Sequence, residues 1–82
     1  MNTRIVHRLT GYDRKTELLA IECEIPVGDI TRVKEIAGVG PSDPDAIGSY
    51  PLDQGQAERI ARLLGAKINN DMYDFFLEPF EE

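Results

Sequence analysis

Thr16-Glu17-Leu18-Leu19-Ala20-Ile21-Glu22-Cys23-Glu24-Ile25 is the stretch on which the fold turns. Leu19, Ile21, Cys23 and Ile25 fall on one side of an extended chain. Ala20, Glu22 and Glu24 fall on the other. That period of two marks a strand with one face buried. Upstream, residues 3–10 alternate in the same way, with Ile5, His7 and Leu9 opposed to Arg4, Val6 and Arg8. Gly11-Tyr12-Asp13-Arg14-Lys15 lies between the two runs and reads as a polar turn opened by a glycine, so the pair forms a β-hairpin.

Downstream of the hairpin the period changes. Pro26 stops the second strand, and Asp29 stands where a helix N-cap is expected. Ile30, Val33, Ile36 and Ala37 then share one helical face, and Gly38 supplies the stop. Residues 39–50 hold Gly40, Pro41, Asp43, Pro44, Asp45 and Gly48, the composition of a loop. A second helix is better marked. Asp53 and Gln56 have the spacing of a capping box, with Leu52 placed to staple against Ala57. Ala57, Ile60, Ala61 and Leu64 form its inner face, with Leu63 beside it, and Gly65 closes it. Tyr73 to Phe80 is rich in aromatics and reads as a third strand. The expected fold is therefore α+β in the order β-β-α-α-β. Residues 1–82 form one domain, a small antiparallel or mixed three-stranded sheet whose third strand pairs with either strand of the hairpin, with both helices packed on the face that carries Leu19, Ile21, Cys23 and Ile25.

Composition narrows the function. The chain has 82 residues, 41% hydrophobic and 29% charged, as in an ordinary globular domain. No apolar run approaches the roughly 20 residues of a membrane helix, and residues 1–10 lack the apolar core of a signal peptide. A cytoplasmic protein without membrane contact is expected. Cys23 is the single cysteine, so no internal disulfide or cysteine metal site is available. It alternates with Leu19, Ile21 and Ile25, which makes it a small core hydrophobe. The net charge is −6. Residues 1–17 carry four basic and two acidic side chains, so the rest of the chain carries −8. Such acidity disfavours nucleic acid and suits a basic protein partner.

No set of residues has the pattern of a catalytic or metal centre. His7 is the only histidine, and neither Ser42 nor Ser49 stands in a nucleophile-elbow sequence. Asp43, Asp45 and Asp53 lack the regular spacing and bidentate acid of a calcium loop. Neither an enzyme nor a bound cofactor or metal is expected. Gly38-Val39-Gly40-Pro41 resembles the hairpin loop of helix-hairpin-helix DNA-binding motifs, whose backbone N–H groups cradle phosphate. Here Asp43 and Asp45 follow and put negative charge where phosphate would sit.

The most informative surface is Tyr73-Asp74-Phe75-Phe76-Leu77-Glu78-Pro79-Phe80. Tyr73, Phe75 and Leu77 lie on one strand face, Phe76 and Phe80 on the other. A sheet covered by helices on one side buries only one of these sets and leaves the other for association. Asp71, Tyr73, Asp74, Phe76, Glu78 and Phe80 are the candidate interaction residues, the acids steering a basic partner and the aromatics anchoring it.

Gly11-Tyr12-Asp13, Glu24-Ile25-Pro26, Tyr50-Pro51-Leu52 and the run from Asp71 to Glu78 together resemble a family of small bacterial proteins of unknown function. Proteins of this look are sometimes placed among the immunity proteins of bacterial toxin systems. The resemblance implies an inhibitor that occludes a toxin, and it carries no functional residue with it. The expected function is a protein-interaction module of this immunity type. Two alternatives stand beside it: a self-associating homodimer joined at a free sheet edge, and a small-ligand binder using His7, Tyr12 or Tyr50.

Overall fold

Alternation in the first 25 residues is realised as an antiparallel hairpin. In the computed structural model, which describes residues 4–68 and 72–82, β1 (Ile5–Asp13) pairs with β2 (Leu19–Ile25), with Leu9 opposite Cys23 and His7 opposite Ile25. Gly11 is not in the turn but inside β1. Asp13 builds the turn instead. Its carboxylate accepts the N–H of Lys15 at 2.8 Å and of Thr16 at 3.1 Å. The Thr16 bond first, then the Lys15 bond, holds its carboxyl below the ordinary value. Glu17 takes the left-handed conformation, φ 62°, that the reversal needs.

A single 3-10 turn, Val27–Asp29, leads into α1 (Ile30–Ala37). Asp29 occupies the N-cap position, but its side chain makes no capping bond. α1 ends where the sequence places its stop, at Gly38 with φ 75°. α2 (Gln54–Leu63) starts on a complete capping box. The Gln56 N–H donates to the Asp53 carboxylate, and the Asp53 N–H to the Gln56 amide oxygen, each at 2.8 Å. The Gln56 amide also donates to the Ile36 carbonyl at 3.0 Å, which ties the start of α2 to the end of α1.

The three-stranded β-β-α-α-β order is corrected to β-β-α-β-α-β. Tyr50–Leu52 forms a short strand, β3, that pairs antiparallel with β4 (Tyr73–Glu81), and the sheet has four strands in the order β2-β1-β4-β3. A three-residue segment with proline at its centre carries no legible alternation. Pro51 is tolerated because β3 is an edge, where one side of the strand needs no N–H donor. β4 runs antiparallel to β1 along its whole length, so the C-terminal strand is central.

Both helices cover one face of this sheet. Val33 and Ala37 of α1 and Ala57, Ile60 and Ala61 of α2 pack with Leu9, Ile25, Phe75 and Leu77 in one buried cluster. Every strand residue in the cluster has an odd number, as alternation demands. Leu19 departs from the row assigned to it. The pairing register shifts between Gly11 and Tyr12, so Leu19 comes opposite Tyr12 and is 46% exposed. A β-bulge at this position re-aims the strand end.

Candidate functional site

Among the described residues, the even-numbered face of the sheet has no helix over it. Arg8 stands near its middle, and its neighbours across the strands are Glu24 on β2 and Glu78 on β4. The Arg8 guanidinium lies 4.5 Å from the centre of the Phe80 ring, a cation–π contact. It also reaches Glu82 at 3.1 Å, Glu22 at 3.8 Å and Glu24 at 4.0 Å. One arginine thus draws carboxylates from β2 and the C-terminus onto one face. Each such pair is weak in water, so their value lies in arranging the surface.

Beside it lies a second group. Thr10 is fully buried although it is on the open face. Its hydroxyl donates to Glu78 Oε1 at 2.6 Å, and the Tyr12 hydroxyl donates to the same oxygen at 2.6 Å. Proximity to Glu78, through that hydrogen bond first and then burial, pushes the Tyr12 phenol above its ordinary value. The Phe76 ring meets Tyr12 edge-on, with centroids 5.6 Å apart. Tyr12, Phe76, Glu78, Asp74, Asp13, Glu17 and Ser49 line a shallow recess of about 350 Å³. Its chemistry is aromatic and anionic, suited to an ammonium or guanidinium group.

The residues singled out in the sequence divide between the two faces. Asp74, Phe76, Glu78 and Phe80 come together on the open face. Asp74 there binds Arg14 at 3.1 Å. Tyr73 goes to the other side, where it packs against the core cluster and edge-on to Phe75. Asp71 lies outside the described residues. Arg8, Thr10 and Tyr12 join the site from β1, and Glu22 and Glu24 from β2. Only strand order sets Arg8, Thr10 and Tyr12 beside Phe76, Glu78 and Phe80, because β1 becomes the neighbour of β4 by long-range pairing.

His7 and Asp43 prove to be loop fasteners. His7 Nε2 lies 3.1 Å from the carbonyls of both Asp45 and Ala46. Two acceptors require that this nitrogen carry the proton. Ala46 is fully buried at φ 50°, so the histidine holds the loop at its most constrained residue. Asp43 accepts the N–H of Ile47 at 3.0 Å and of Gly48 at 2.9 Å, together with the Tyr50 hydroxyl. The tyrosine bond first, then the two amides, lowers its pKa from 3.8. A carboxyl more acidic in the folded state stabilises above its unfolded pKa and loses that contribution as pH falls through the folded one. Amide exchange at Ile47 and Gly48, scaled for the intrinsic pH dependence, is therefore expected to accelerate below pH 3.8. Asp43→Asn should produce the same acceleration at neutral pH, and unchanged exchange in that variant would remove Asp43 from this role. Among the described residues, no three His, Cys, Asp or Glu side chains gather as a metal site, and no helix is long and apolar enough to cross a membrane.

Compared with known families, residues 6–78 match the model of a domain of unknown function (DUF7683). No curated protein and no solved structure matches.

Proposed function

We propose that the chain, which belongs to the DUF7683 family, is a protein-interaction module whose open sheet face docks a basic protein. The observation that carries this reading is the pairing of half-buried aromatics with carboxylates on the face opposite the helices. Phe76, Phe80 and Tyr12 supply flat apolar area, and Glu22, Glu24, Asp74, Glu78 and Glu82 surround it. Interfaces concentrate their energy in such aromatic anchors, while surrounding charge sets the encounter rate and selects the partner's sign. An inhibitor of the immunity type, covering the working surface of a basic toxin, is the form of this activity that we favour. Occlusion requires no chemistry from the binder.

The test is affinity capture at near-physiological salt from the native host, with wild type compared against Phe76→Ser/Phe80→Ser. Both residues are off the core cluster, so the double variant should keep its circular dichroism. One stoichiometric basic protein is expected on the wild type. It should bind the variant with a loss of about 2 kcal/mol or more, the scale of interface hot spots. Its association rate should fall as salt is raised. A captured protein held equally by the variant would refute docking on this face.

A further inference from the structure

The two edges of the sheet are unlike. β3 is three residues long with Pro51 at its centre, a blunted edge. β2 is seven residues long, pairs only with β1 among the described strands, and contains neither proline nor lysine. Its outer backbone groups form a template for another strand. Three of the large hydrophobic side chains left exposed, Leu18, Leu19 and Val27, stand at its two ends. On the helix side Ile21 and Cys23 pack against the core cluster but stay half-buried, so the apolar row reaches the edge only partly covered. On the open side Glu22 and Glu24 are held loosely by Arg8, at 3.8 and 4.0 Å, and stay 42% and 57% exposed.

We propose that the free edge of β2 accepts an added strand from the basic partner, an extended segment in which basic and apolar residues alternate. This rests on the reading of a basic partner and identifies the segment it presents. Basic side chains fall opposite Glu22 and Glu24, and apolar ones continue the row of Ile21, Cys23 and Ile25. Main-chain hydrogen bonds supply affinity and the alternating side chains supply selection. A second copy of the chain fits less well. Antiparallel pairing of β2 with itself about Glu22 sets Glu22 against Glu22, and pairing about Cys23 sets Glu22 against Glu24. Like charges directly opposite one another oppose the pairing.

The probe is a short capped peptide of alternating lysine and valine, titrated into the full isotope-labelled chain. Saturable binding is expected, with slowed amide exchange confined to β2. Glu22→Gln/Glu24→Gln should weaken it about fivefold or more, the scale of two cross-strand charge pairs. The same peptide with every backbone nitrogen methylated keeps its charge and should not bind, because both edges have lost their donors. Equal binding of the methylated peptide, or no binding of either, overturns the proposal. If the peptide instead shifts the Phe76 and Phe80 signals and leaves β2 exchange unchanged, the edge proposal falls and docking on the open face stands. Slowed exchange at β2, together with a captured partner indifferent to Phe76→Ser/Phe80→Ser, supports the edge and removes the docking from the open face.

Discussion

Leu77→Ala is expected to remove about 2–5 kcal/mol of stability, the range for emptying a leucine site in a core. Leu77 is fully buried. It lies on β4 opposite Leu9 on one side and Tyr50 on the other, so three hydrogen-bonded strands fix the floor of its site. Ala57, Ile60 and Ala61 of α2 belong to the cluster above it. Neither boundary can collapse far, so most of the cavity remains. An 82-residue chain has in total only about 4–12 kcal/mol of stability. The melting temperature should fall by roughly 8–40 °C, at about 4–8 °C per kcal/mol for a chain of this size. Urea unfolding followed by circular dichroism measures the stability loss directly. A loss below about 1 kcal/mol, well under the range for such a site, would show that the site repacks and that the sheet is less fixed than its register implies.

How much of this core was legible depends on which residues one asks about. The hairpin, both helices and the aromatic strand were visible because each repeats a period over several residues. Gly38, Asp53, Gln56 and Gly65 were visible because cap chemistry is local. β3 was not, since three residues around a proline show no period and become a strand only when β4 arrives beside them. Leu19 was misplaced because a bulge is set by pairing geometry, which alternation does not encode.

The candidate site shows the same division. Phe76, Glu78 and Phe80 follow from alternation along β4 alone. Tyr73 obeys that alternation too, and its odd number already placed it with Phe75 and Leu77. Arg8, Thr10 and Tyr12 become visible only through the neighbour relation of β1 and β4. Their partners lie 66 to 74 residues away along the chain. His7 illustrates the converse. As the only histidine it attracts functional attention, yet the sheet brings it against the Asp45 and Ala46 carbonyls, where it fastens a loop.

Gly11→Val should be the most damaging substitution on β1 outside the leucine core. The sequence suggests a turn glycine, which would tolerate valine poorly for reasons of backbone conformation. In the structure Gly11 is a strand residue, without the positive φ seen at Gly38 and Gly65, so its constraint is space. A Cβ placed there meets Phe75 Cε1 at 2.9 Å and Cδ1 at 3.2 Å, and Ile21 Cβ at 3.1 Å. Phe75 is itself buried in the cluster, so its ring cannot swing out to solvent. The Phe75 ring lies against Gly11, its direct cross-strand neighbour. Alanine there is expected to cost about 1–3 kcal/mol by overpacking, and valine more. The two explanations separate on Gly11→Ala combined with Phe75→Leu. Under crowding, the smaller side chain at 75 recovers part of the loss and the double-mutant cycle is non-additive. Under a backbone requirement the losses add, and Gly11 would have to be read as a turn residue after all.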